Sequence, residues 1–407
     1  MRRAAAAWAL LGLCALVAAV DTGALAAGGG TQAGGGGAKP TGGGASAIAP
    51  ATPALRVVLD PSPAAGVLAE WRRGNRDPHA LDRVASGIAY RTLRMQLGEQ
   101  SGCDVTDREL QRALANPDSG ACGFGLHPAW EQRAALDSLV RAIRAGRSRI
   151  AARAARRASR YVPVVKPGRD STAAGDSAVA RGPSRGSLDV RISFVLASQF
   201  TFDAITFDRD ADGVTAPLVI VNLTDVLPYG SNTRTRIAAL EHVLAHETFH
   251  AGLHGVRQRL AGWREFSARP RTALVHIAGA MADEGVAHFV DWRDRPGADT
   301  LFTAAPGPRE RHAFAQLALA VRRLRGASPG SAEWEEILQI ASTGPLWSKY
   351  AAISGMFVAS RIERTLGRGA LLRALAAGPP AFLRTYADLA AQDTTWKALP
   401  VELVDMK

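Results

Sequence analysis

Two imidazoles and a carboxylate stand at a spacing that can do chemistry, in His246-Glu247-Thr248-Phe249-His250. Four residues is slightly more than one helical turn, so on a helix both imidazoles share a face, about 6 Å apart along the axis. From there both can bind one metal ion, while Glu247 points to the side where a metal-bound water would lie, the place of a general base. A catalytic zinc needs a third protein ligand as well. His242 and His254 are close in sequence, but either would stretch the ligands over about 12 Å of axis, too long for one ion. Both are expected as helix-face residues lining a polar cleft. The extended pattern HExxHxxGxxH is excluded, because Leu253 and Val256 occupy the positions where it needs Gly and His.

The remaining source is the stretch Met281-Ala-Asp-Glu-Gly-Val-Ala-His-Phe289, whose Glu284 lies 34 residues after His250 (284 minus 250). Ile277, Ala280, Met281 and Val290 give it an apolar face at helical spacing. A carboxylate from this second helix, Glu284 or its neighbour Asp283, can complete the set that two histidines begin. DEGVAHF resembles the E-G-x-A-x-aromatic element of the glutamate zincins, and with the HExxH helix it resembles a family of zinc-dependent peptidases. The resemblance is specific over about residues 216–292. It implies one Zn2+ held by His246, His250 and Glu284, with Glu247 as general base and a peptide or protein as substrate. The small residues of the element imply close helix packing. Many members carry an Asp four residues after the third ligand to orient a zinc-bound histidine. Here that position is His288, so Asp291 or Asp283 is the expected orienting group. The family often uses a Tyr or His from the C-terminal part to stabilise the oxyanion, which points to Tyr350 first and His288 second.

The elements that must position these groups are legible in outline. Ser231, Asn232 and Thr233 are N-cap candidates for the HExxH helix, Ile237, Leu240, Leu244 and Ala251 are its apolar stripe, and Gly252 and Gly255 offer a stop. Leu188–Ala197, Phe200–Phe207 and Pro217–Leu223 read as three strands, the last expected as an edge strand beside the metal. Asp208-Arg-Asp-Ala-Asp-Gly213 copies the start of an EF-hand loop, but Val219 stands where that loop needs a bidentate Glu, so an Asp-Gly hairpin turn is expected. Upstream, Arg56–Leu59 reads as a short strand, Pro61 to Gly98 as two helices, and Pro128 to Tyr161 as one long helix. Its second half carries Arg141, Arg144, Arg147, Arg149, Arg153, Arg156, Arg157 and Arg160, with no aromatic residues for base stacking, and reads as a solvated face. Downstream the chain reads as helical, broken at Pro270, around Pro306–Pro308, at Gly344-Pro345 and at Gly378-Pro379-Pro380.

Length and composition bound the rest. The chain has 407 residues, 47% of them hydrophobic, enough for a large core. Its net charge of +12 is carried by arginine, the only lysines being Lys39, Lys166, Lys349, Lys397 and Lys407, and reads as compositional bias with no nucleic-acid partner. Met1-Arg2-Arg3, apolar Ala4–Val20 and Ala24-Leu25-Ala26 read as a signal peptide over 1–26, so the mature protein is expected in the periplasm or outside the cell, with no membrane span. In that compartment Cys103 and Cys122 are a possible disulfide. Residues 27–54 read as a glycine-rich flexible linker, 55–180 as a mainly helical N-terminal region, 181–300 as the core with the metal site, and 301–407 as a helical C-terminal region. The expected fold is α+β, helix-rich and zincin-like with a small sheet. The expected function is an exported zinc metallopeptidase. The alternative is a binding protein that keeps the fold without turnover, against which intact Glu247 argues.

Overall fold

The computed structural model describes residues 55–74, 77–101, 105–120, 124–164, 188–197, 203–207 and 217–406. The signal-like start, the glycine-rich linker, Cys103, Cys122 and the Asp208–Gly213 turn lie outside the described residues.

Four strands, β1 (Leu55–Asp60), β2 (Leu188–Val195), β3 (Ala204–Phe207) and β4 (Leu218–Asn222), form one sheet in the order β1-β2-β4-β3. β1 pairs parallel with β2 and β2 parallel with β4, while β3 returns antiparallel to β4. Parallel neighbours need a crossover, and the segment between β1 and β2 supplies one made of helices. It holds α1 (Ser62–Arg73), α2 (Pro78–Ala85), α3 (Ile88–Ser101), α4 (Asp107–Ala115), α5 (His127–Glu131) and α6 (Arg133–Ser159). Two expectations change here. The two helices expected over 61–98 are three, and the long helix is divided at Gln132, whose backbone (φ −96°, ψ 12°) leaves the helical region.

The strand expected at the edge is not there. β4 lies between β2 and β3, and all five of its residues are buried, so the uninterrupted run LVIVN is an interior strand covered on both faces. The edge beside the HExxH helix is β3.

After β4 come α7 (Leu223–Val226) and α8 (Thr233–Arg257), the HExxH helix. Asn232 caps α8: its side chain accepts the Thr235 N–H at 3.0 Å while Thr235 reaches back to the Asn232 N–H. Gly252 and Gly255 do not end it. A Cβ at 252 would come within 2.6 Å of Val162, and one at 255 within 2.5 Å of Leu188, so these glycines let α8 press against the start of the sheet. α8 packs on β2, β3 and β4, with α6 alongside and against β1. The arginine-rich helix is tied in as well, since Arg153 Nη1 donates to both carboxylate oxygens of buried Glu241 of α8, at 2.8 and 2.9 Å.

The C-terminal part is helical, as expected: α9 (Ala261–Ser267), α10 (Ala273–Ala282), α11 (Glu284–Trp292), α12 (Ala298–Leu301), α13 (Pro308–Gly326), α14 (Ala332–Ser342), α15 (Tyr350–Leu366), α16 (Arg368–Ala376), α17 (Pro379–Ala390) and α18 (Val401–Val404). The expected proline and glycine breaks separate them. Helix-rich with one small mixed sheet, the fold is α+β. No helix among the described residues is long and apolar enough to cross a membrane.

Candidate metal centre

Three elements bring the site together. α8 carries His246, Glu247 and His250, all buried in the middle of the helix. The segment expected as a second helix is two, α10 and α11, which meet at Asp283 (φ −84°, ψ −68°), so Asp283 and Glu284 stand at the junction. α15 sets the depth of that junction. A Cβ on Gly285 would lie 2.5 Å from the Gly355 backbone, and one on Gly355 would lie 2.0 Å from the Met281 carbonyl oxygen. Only glycine pairs allow backbones this close. The glycine of the EGxA element thus fixes how far Glu284 reaches towards α8.

His246 Nε2 and His250 Nε2 are 3.1 Å apart. Glu284 Oε2 is 3.6 Å from His246 Nε2, and Oε1 is 3.5 Å from His250 Nε2. Ligands about 2.0–2.1 Å from a tetrahedral zinc are separated by about 3.3–3.4 Å, so these three groups match the edges of such a site. Their electrostatics fit as well. Burial alone would raise the Glu284 pKa, but the two histidines outweigh it and hold the carboxyl well below its usual range. A buried carboxylate facing two imidazoles is a set of converging lone pairs that suits a cation. His246, His250 and Glu284 can therefore hold a metal ion.

Around them the expected residues divide. Of the two candidate orienting groups, Asp283 is the one placed to hold His250: its Oδ1 is 2.7 Å from His250 Nδ1, which leaves Nε2 to face a metal. Burial would raise the Asp283 pKa, yet His250 and His254 pull it far below the usual value. Asp291 touches neither ligand. It pairs with Arg295 at 2.7 Å and with His242 at 3.3 Å, and so braces α11 against α8. His242 is thus occupied away from the cleft, whereas His254 lines it, 3.2 Å from Asp283. His288 packs its ring 4.6 Å from that of His246, fully buried, and neither ring nitrogen has a hydrogen-bond partner among the described residues. Burial first, then the nearby charges of His246 and Lys349, holds it neutral. Tyr350 is not at the site. Its hydroxyl donates to the Ile337 carbonyl at 2.8 Å, and it is not among the residues that line the cleft.

One residue that sequence reasoning missed is Thr206, on edge strand β3. Its hydroxyl donates to Glu247 Oε2 at 2.7 Å, while Glu247 Oε1 lies 4.0 Å from His246 Nε2. The signal that could have found it is the all-apolar β4, which marks β4 as interior and leaves its antiparallel neighbour at the edge. Glu247, His250 and Glu284 line a cleft of about 620 Å³ that runs between β3, α8, α10 and α14.

No curated protein and no solved structure matches the chain. Residues 199–395 match a family model, and that span holds β3, both motif helices and α15. That family is described as "Putative zinc dependent peptidase (DUF5700)", and the zinc-compatible cluster lies within the matched span.

Proposed function

We propose that the protein is an exported peptidase in which His246, His250 and Glu284 hold one zinc ion and Glu247 is the general base. The observation that carries this reading is the convergence of the three ligand groups within 3.1–3.6 Å beside Glu247, at the head of an open cleft. When bound, zinc supplies Lewis acidity that polarises a peptide carbonyl and acidifies water.

The chain's own residues do the rest. Thr206 holds Glu247 Oε2, which leaves Oε1 turned towards the ligand histidines, able to take a proton from the attacking water and pass it to the leaving amine. Asp283 holds His250 in the tautomer that presents Nε2. Among the described residues β3 is the sheet edge beside Glu247, so an extended peptide can add to it as a further strand. Neither expected oxyanion donor lines the cleft: His288 packs its buried ring on His246, and the Tyr350 hydroxyl is bonded to Ile337.

Glu247→Gln keeps size and shape but removes the base. The variant is expected to keep about one zinc per chain and to lose activity by a factor on the order of 10² or more. Full activity on a peptide that the parent cleaves would reject the assignment. The basic and apolar start with its Ala-Leu-Ala site supports export. Mass spectrometry of the exported protein should find an N-terminus near Ala27, and an intact Met1 would reject this part of the reading.

A further inference from the structure

The cleft is electrically lopsided. Its acidic lining residues, Glu247, Asp283 and Glu284, all lie at the metal end, and each is engaged there, with Thr206, with His250 and His254, and with His246 and His250 respectively. Its arginines are Arg257 at the end of α8, beside Asp283, and Arg269 and Arg271 on the loop between α9 and α10. Arg257 Nη1 is 3.9 Å from Asp283 Oδ2, so this guanidinium is two contacts from a ligand histidine. Arg271 is exposed and makes no hydrogen bond or ion pair among the described residues. Trp263, Phe266 and Trp334 give the wall an aromatic surface.

We infer that this half of the cleft selects peptides with an acidic side chain close to the cleaved bond, next to an apolar or aromatic residue. The inference rests on the peptidase reading above. Arginine offers a rigid fork that matches a carboxylate, and a half-enclosed cleft screens the pair less than open solvent does. Among the described lining residues the one acidic neighbour of these arginines is Asp283, whose carboxylate His250 and His254 engage. A lysine at the same position would meet like charge, so the cleft also discriminates against basic peptides. The overall charge of +12 attracts any anionic peptide and cannot by itself read where the acidic residue sits.

The test uses zinc-loaded full-length protein and quenched-fluorescent octapeptides that carry Glu, Gln or Lys beside the cleaved bond. An isomer of the Glu peptide with its Glu moved to the far end has the same net charge. The expected kcat/KM for the Glu peptide exceeds that for Gln by about tenfold, as one charge-assisted pair allows, with Lys below both and the isomer near Gln. Replacing Arg269 and Arg271 together by Gln should collapse the Glu-over-Gln ratio towards one. Arg257→Gln should reduce it with zinc content retained. Equal rates for Glu and Gln, or for the Glu peptide and its isomer, overturn the inference. If the parent cleaves none of these peptides, fluorescence anisotropy with dye-labelled copies on the Glu247→Gln variant decides it. Tighter binding of the Glu peptide than of Gln and the isomer keeps the subsite and rejects the peptidase reading. Equal binding or no binding rejects the subsite.

Discussion

From β1 through α6 the described chain buries one charged side chain, Glu70, and Arg73 on the same helix partners it. From Asp203 through α15 it buries many, among them Asp203, Glu241, Glu247, Glu284, Asp291 and Lys349, together with three histidines, His246, His250 and His288. The two regions share a core, for α6 lies on α8 and β1 on β2. They differ in what burial costs. Apolar burial in the first region stabilises by about 25 cal/mol per Å². Each charge buried in the second must be paired or it destabilises by several kcal/mol. Some of these charges are structural: Arg361 and Glu310 form a buried pair at 2.6 Å, and the Arg361 guanidinium also reaches the carbonyls of Thr303 and Ala304. The others gather where α8, β3 and the α10–α11 junction meet. There burial and the nearby Glu247 charge push the Asp203 carboxyl up to about 6, against the hydrogen bond from Tyr229. A fold that gathers buried charge around one cleft and nearly excludes it from β1 through α6 has given up stability for chemistry there.

That contrast can be broken at either end. The largest effect is expected from Glu284→Ala, which removes one of the three groups proposed to hold the metal. Zinc affinity should fall by at least on the order of 10³-fold and activity with it, since metal binding depends on the full set of ligands. Equilibrium dialysis against a zinc buffer measures this, and parental affinity would move the third ligand to Asp283. Next is a change in the apolar region. Ile143 on α6 is fully buried, and Ile143→Ala should cost about 2–5 kcal/mol in denaturant unfolding through lost burial and the cavity left behind. Zinc stoichiometry should remain one per chain. If this variant loses zinc while still folded, the two regions are not separable and the contrast fails.

How much of this was legible in sequence follows the same division. HExxH and EGxA were readable because their spacing is local: one helical turn fixes both histidines, and Glu-Gly fixes a ligand next to a close contact. What was not readable depends on packing over long sequence separations. Strand order is one case, because β3 and β4 could be ranked only by seeing that β4 is buried on both faces. Thr206 was lost with it, being one threonine in a short strand until that strand is placed beside Glu247. Asp283 and Asp291 could not be told apart by distance along the chain, since the kink between α10 and α11 turns the nearer one to His250 and the other to Arg295. Tyr350 was misplaced for the related reason that a residue opening a helix can face either side of it.

The smallest expected effect is also the sharpest check on that last point. If Tyr350 stabilised the oxyanion, Tyr350→Phe would lower kcat by about 10²–10³ while leaving KM and zinc content alone. The structure gives its hydroxyl another role. It donates to the Ile337 carbonyl in a buried contact between the start of α15 and α14, and burial pushes its pKa well above the usual tyrosine value. Removing that hydroxyl breaks one neutral hydrogen bond, worth about 1 kcal/mol, and leaves a carbonyl without this partner. Tyr350→Phe should therefore shift the unfolding midpoint slightly and change kcat/KM by less than about twofold, because α14 carries only the far wall of the cleft, Trp334, Leu338 and Ser342. A hundredfold loss of kcat with an unchanged melting curve would put Tyr350 back among the reacting groups. It would require α15 to turn that side chain into the cleft when substrate binds.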